Sequence, residues 1–213
     1  MPVTGPQRLA VLASGDGSNF EALTLAARRG ELGGTIELLA CDVPGARVLE
    51  RAARLGVPAV LPPAGRFRTR IEDEVAWRDA LRERGIEVLL LAGFMRRLHA
   101  TLLDAWPDRI LNLHPSLLPA FPGLDAPARA LAHGVRVTGC TVHVVDAGLD
   151  AGPIVAQEAV EVRDDDTLAR LTARLHAAEH RLYPRAVRRF LGGPWHREAR
   201  RLVFDAPAEV GGG

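Results

Sequence analysis

The sequence contains no lysine: all 27 of its basic residues are arginine, set against 26 acidic ones for a formal net charge of +1. A chain without lysine forms no lysine Schiff base and builds no Walker-type phosphate lysine. The near-zero charge also argues against general nucleic-acid binding, which needs a basic surplus to displace counterions. Cysteine is scarce too. Cys41 and Cys140 stand far apart and match no zinc or redox spacing, and they are expected to be reduced, buried thiols. No apolar run approaches the ~18 residues that span a bilayer, and Met1–Gln7 holds no signal-peptide core. The expectation is therefore a soluble, cytoplasmic protein with no membrane partner. What is present is ordinary for a soluble globular protein: 213 residues, 47% hydrophobic and 25% charged. That length buries roughly 70% of the unfolded chain's surface.

Apolar runs alternate with helical patterns through the first half. Residues 8–13 (RLAVLA), 35–41 (TIELLAC), 58–61 and 88–92 (VLLLA) read as strands, and residues 19–29, 46–55 and 71–84 as helices. Unbroken apolar strands belong to parallel sheets covered on both faces, and the alternation predicts βαβ units in an open α/β sheet. The second half differs. A strand at 109–113 ends at His114-Pro115, and a proline-rich loop follows. A short helix is expected at 128–133, and residues 137–145 and 154–162 read as antiparallel edge strands. A long helix is expected at about 167–191, with Tyr183-Pro184 as a kink. The expected organisation is one domain over residues 8–192, with flexible termini at 1–7 and 205–213.

Three segments carry candidate chemistry. Ser14–Asn19 (SGDGSN) joins the first strand to the first helix. Its small residues let backbone amides approach an anion at a helix N-terminus, with Ser18 and Asn19 adding donors; the plain reading is a tight turn with Ser18 as N-cap. The segment lacks the G-x-G-x-x-G spacing of dinucleotide sites. Asn112 and His114 lie two apart at a strand's C-terminal end, so they share a face where open α/β sheets bind ligands. An amide beside an imidazole suits a carbonyl carbon that becomes an oxyanion, although a polar strand end pairing with a loop has the same composition. Asp146 and Asp150 punctuate a Gly-rich loop. Asp146 reads as a turn residue, whereas Asp150 suits pairing with an imidazole. His143 fits either the same cleft or a satisfied strand position. His176–His180 matches the H-x-x-E-H pattern of inverted zinc peptidases but offers no third ligand, so no metal is expected. Asp164–Asp166 reads as helix N-terminal charge.

Seven stretches then occur together in order: SGDGSN (14–19), AGFMR (92–96), NLHPSLLP (112–119), FPGL (121–124), TGCTVHV (138–144), LDAGP (149–153) and EHRLYP (179–184). With them the chain resembles the phosphoribosylglycinamide formyltransferases over residues 8–192. NLHPSLLP alone marks the wider superfamily of formyl transferases and hydrolases. The resemblance implies a single-domain, Rossmann-like formyltransferase fold. The implied activity is transfer of a formyl group from 10-formyltetrahydrofolate, a co-substrate, to glycinamide ribonucleotide in purine biosynthesis. It further implies Asn112, His114 and Asp150 as the catalytic set, Gly17, Ser18 and Asn19 as the phosphate loop, and Glu179 as a ribotide contact. Arg70, at a helix start after Phe67, is implied near the folate, with Met95, Arg96, Arg97, Leu98 and Asn112 around its pterin.

Some positions depart from the family pattern. Asp125 stands where histidine is common after Gly123-Leu124. His176 replaces a basic residue one turn before Glu179. Cys41-Asp42 replaces a Ser-Asn pair. No catalytic group is lost. The implied partners are small molecules, neither nucleic acid nor membrane, with a monomer or homodimer as the assembly. The competing reading is a formyltetrahydrofolate hydrolase. Its family usually places a regulatory domain ahead of this module, whereas only about seven residues precede the first strand in this chain.

Overall fold

The computed structural model describes residues 6–63, 65–66 and 69–205. Five strands form the parallel half of the sheet: β1 (Gln7–Ala13), β2 (Gly34–Cys41), β3 (Ala59–Val60), β4 (Val88–Leu91) and β5 (Ile110–His114). They lie in the order β3-β2-β1-β4-β5. Two long strands, β6 (Val137–Val144) and β7 (Ile154–Glu161), continue the sheet antiparallel. A hairpin of β8 (Trp195–Glu198) and β9 (Arg201–Phe204) extends it beyond β7, giving nine strands among the described residues. Six helices cover it: α1 (Ser18–Arg28), α2 (Arg47–Arg54), α3 (Glu74–Arg82), α4 (Ala100–Leu103), α5 (Ala126–Ala132) and α6 (Leu168–Leu191).

Side chains alternate along each strand, so every central strand feeds two cores. Leu9, Val11 and Ala13 pack beneath α1, α2 and α6 with Phe20, Val48 and Phe190. Ala10 and Leu12 pack on the other face with Trp77, Leu81 and Leu102 from α3 and α4. Fully burying one such leucine contributes about 1.5–3 kcal/mol. The same alternation sends Leu111 and Leu113 to the α6 face, and Ile110, with Asn112 and His114 after it, to the opposite one.

The observed elements differ from the sequence expectations in several places. The third helix starts at Glu74, not at residue 71, because Asp73 caps it by accepting from the Ala76 amide at 3.0 Å. Arg70 therefore sits in an extended bridge beside Arg97, not in a helix. The fifth helix starts two residues earlier than read, with Pro127 in its first turn, where a missing N–H costs nothing. The short α4 and the β8–β9 hairpin are additions. Helix α6 runs through Pro184 for 24 residues. Both cysteines are buried free thiols. Burial, reinforced by Glu179 and Glu158, pushes the Cys140 thiol up to about 12. Of the termini expected to be flexible, residues 1–5 and 206–213 lie outside the described residues, as does Phe67.

Candidate active site

The chain leaves β1 for β2 on one side and leaves β4 for β5 on the other, so the sheet's topological switch falls between β1 and β4. Open α/β sheets bind ligands at that point, beyond the strands' C-terminal ends. A cavity of about 710 Å³ opens there. It straddles the sheet edge, with the 15–19 loop and Glu179 on the α1/α6 side, residues 94–98 on the other, and Asn112 and His114 between them.

The phosphate-type loop is held from behind. Gly17, at φ +80°, caps α1. A Cβ at this position would lie 2.4 Å from the Val48 side chain, so only glycine fits. Ser18 therefore opens the helix and does not cap it, correcting the plain turn reading. Its neighbours' first-turn amides have no preceding helical carbonyl to bond and point toward the cavity end. Arg51 donates to the Asp16 carbonyl and carboxylate, each at 2.8 Å, and Val48 donates to the Gly15 carbonyl at 3.1 Å. Asn19 Nδ2 donates to Glu179 Oε2 at 2.8 Å. Glu179 is buried, and Asn19 Oδ1 is buried without a hydrogen-bond partner among the described residues.

Asp150 lies between two imidazoles. Its Oδ2 is 3.4 Å from His114 Nδ1 and its Oδ1 is 3.6 Å from His143 Nε2. The Gly123 amide donates to Oδ2 at 2.7 Å. Burial pushes the Asp150 carboxyl up, but His143, the Gly123 amide and His114 together outweigh it, so the group stays below the usual carboxylate range. His114 is buried, and its Nε2 lies 2.9 Å from the Phe121 carbonyl, an acceptor, which places a proton on Nε2. Nδ1 is then the ring atom facing the carboxylate. His143 is brought to Asn112 by register: the two are directly paired across β5 and β6. Its Nδ1 donates to the Val144 carbonyl at 3.0 Å, and its Nε2 lies 3.2 Å from Asn112 Nδ2. Asp150 itself has φ +48°, a left-handed conformation that Asp and Asn tolerate better than most residues. From outside the cavity, Arg200 donates to the Ala151 carbonyl at 2.8 Å and steadies this loop.

The 93–98 segment forms the far wall. Ser14 Oγ accepts from the Met95 amide at 2.9 Å. Arg96 Nε donates to Asp42 Oδ2 at 2.6 Å, with both side chains largely buried. The guanidinium of Arg96, a residue that lines the cavity, is thus bonded to Asp42. Arg97 donates to the Ala147 carbonyl at 3.3 Å, tying this wall to the Asp150 loop. Met95 and Leu98 line the cavity, as do Asp125 and His176. Arg70 is not among its lining residues; it borders a shallower hollow beside α3. The rings of His176 and His180 stack with centroids 6.4 Å apart.

A model of the formyl transferase family matches residues 7–187. The phosphoribosylglycinamide formyltransferase of Bacillus subtilis is 43% identical over 186 residues, 87% of this chain and 95% of that one. The chain belongs to this formyltransferase family. The human trifunctional purine biosynthetic protein adenosine-3 is 40% identical over 186 residues, 87% of this chain and 18% of that larger protein. The crystal structure of glycinamide ribonucleotide transformylase 1 from Symbiobacterium toebii superimposes with a TM-score of 0.90 at 44% identity, over 95% of each chain.

Within this formyltransferase, sequence reasoning left three contributors without a role. Asp42 was visible only as a departure from pattern, Ser14 only as a loop residue, and Tyr183 only as a kink neighbour. The buried Tyr183 hydroxyl lies 3.1 Å from the carbonyls of both Leu91 and Leu111, bridging β4 and β5 just below the site.

Proposed function

We propose that this formyltransferase moves the formyl group of 10-formyltetrahydrofolate to the amine of 5-phosphoribosylglycinamide, as a step of purine biosynthesis. The observation that carries the reading is the position of Asn112, His114 and Asp150 in one cavity with the helix start at residues 15–19 and the wall of residues 94–98. The loop 17–19 and Glu179 take the ribotide. Residues 95–98 and Asn112 take the flat pterin, with Arg70 beyond the cavity rim toward the folate tail. Residues 8–192 constitute the working domain, acting in the cytoplasm as a monomer or homodimer.

The chemistry joins the amine nitrogen to the formyl carbon and breaks that carbon's bond to folate N10. Negative charge develops on the formyl oxygen. Asn112 donates an amide hydrogen to it, and the His114–Asp150 pair supplies positive charge held in place. The amine loses one proton and N10 gains one, so none is consumed. The Asp150 carboxylate, 3.4 Å from His114 Nδ1, accepts and returns it. Nothing in this sequence of steps calls for a metal.

The deciding assay offers the ribotide and water as competing acceptors. Formylated ribotide should appear in step with tetrahydrofolate. Formate released at the same rate without ribotide would establish a hydrolase instead. The loop assignment has its own test. Asn19→Ala removes a donor toward the phosphate and the bond to Glu179, at a cost of roughly 1.5–3 kcal/mol. The ribotide KM should rise by about 10- to 150-fold with the folate KM nearly unchanged. A rise confined to the folate KM would show the loop to be misassigned.

A further inference from the structure

We propose that the tripeptide Phe121–Gly123 is a backbone clamp on the catalytic pair, and that Arg129, outside the cavity, is the positioning residue that holds the clamp. The inference rests on the formyl-transfer reading and deepens it. Three consecutive residues each make one decisive contact. The Phe121 carbonyl accepts from His114 Nε2 at 2.9 Å. The Gly123 amide donates to Asp150 Oδ2 at 2.7 Å. The Pro122 carbonyl, between them, accepts from Arg129 Nη1 at 2.6 Å. One short piece of backbone thus touches both members of the pair, and a single side chain grips its middle.

The clamp is not a conformation the chain would hold unaided. Phe121 has φ +52° and Gly123 φ +82°. A left-handed phenylalanine persists only where its surroundings impose it. Those surroundings belong to α5. The Arg129 guanidinium lies 5.8 Å from the Phe121 ring centre. The His133 ring packs edge-on against the same ring, at 5.2 Å and 70°. Helix α5 therefore holds Phe121 by its ring and Pro122 by its carbonyl.

The consequence for chemistry is specific. With Nε2–H committed to Phe121, His114 presents Nδ1 to Asp150, so the clamp selects which nitrogen carries the reaction. With the Gly123 amide on Oδ2, Asp150 stays ionised at lower pH than it otherwise would. The titratable and charged groups around Asp150 are His114 from β5 and His143 from β6, with Asp146 and Arg97 toward the loop's other end. Arg129 bonds the Pro122 carbonyl, not any of these groups, so it reaches them only through the clamp.

Arg129→Met keeps an aliphatic stem beside Phe121 and removes the bond to Pro122. Arg129 is exposed, so the variant should fold with an unchanged Tm. Its kcat should fall by about tenfold, since displacement of reacting groups by 1 Å costs up to 10²-fold, while both KM values stay within about twofold. The acid limb of the pH–rate profile should move to higher pH, because Asp150 loses a donor that favours its charged form. Arg129→Lys, which restores a cationic donor, should recover part of the rate and move the limb back. A purely structural role would lower Tm without moving the limb. Wild-type kcat with an unmoved limb in Arg129→Met would overturn the proposal. If the wild-type protein transferred no formyl group, the functional reading would fall and imidazole NMR would decide the clamp. Slow exchange of the His114 Nε2–H in the wild type, made faster in Arg129→Met, supports it; equal rates sink it.

Discussion

Replacing Asp150 by asparagine should lower kcat by on the order of 10²-fold or more, the usual loss when an electrostatic or acid–base group is removed. The substitution is a clean probe. Asparagine tolerates the left-handed conformation that Asp150 adopts at φ +48°, and its carbonyl can still accept from the Gly123 amide, as Oδ2 does at 2.7 Å. What disappears is the charge. Asp150 is held ionised below the ordinary carboxylate range because two imidazoles and an amide outweigh its burial. Catalysis that needs the carboxylate is therefore fully present above the usual carboxylate range and is lost only as pH falls through the depressed value. In Asp150→Asn that acid limb vanishes. Both KM values should change little, since the charge acts on the transition state. Near-full kcat with the acid limb still in place would reduce Asp150 to a turn residue and rule out proton transfer through the His114–Asp150 pair.

The parts of this molecule legible in its sequence are those written in side-chain periodicity. Runs such as Leu9–Ala13 and Val88–Leu91 announced buried parallel strands, because each residue faces one of two cores. The spacing of Asn112 and His114 announced a shared face. The illegible parts depend on partners distant in sequence or on the main chain. The hairpin β8–β9 has two four-residue strands in which no residue is fully buried, and it meets β7 through the single pairing Ile154–Arg201; no alternation that short stands out. His143 became a neighbour of Asn112 through antiparallel register, which a strand pattern does not specify. The clamp at Phe121–Gly123 works through a carbonyl and an amide, groups that every residue carries. Arg96 is a further case. The resemblance places it near folate, and it does line the cavity, but that its guanidinium bonds the buried carboxylate of Asp42, from the loop after β2, depends on a partner 54 residues away.

Asn112→Ala should cost about 10²–10³-fold in kcat, the range measured when one oxyanion donor is deleted, and it should do so without displacing the limb set by the His114–Asp150 pair. The distinction follows from geometry. Asn112 reaches the cavity from β5 on the same face as His114 but bonds elsewhere: its Nδ2 lies 3.2 Å from His143 Nε2, whereas His114 is held by Phe121 and Asp150. An amide donates and does not titrate, so its loss removes stabilisation at every pH alike. The β5–β6 pairing holds this amide against the His143 ring, and its N–H groups are the donors for the developing negative charge. Alanine keeps the strand and its pairing, so KM for the ribotide should be nearly unchanged. The folate KM should rise only modestly, because residues 95–98, proposed above to hold the pterin, are unchanged. Comparison with Asp150→Asn then separates two contributions, a hydrogen bond that is indifferent to pH and a charge pair that is not. An Asn112→Ala enzyme with kcat within about threefold of wild type, too small a change for a lost oxyanion donor, would place the oxyanion away from Asn112 and leave the stabilisation to the charged pair alone.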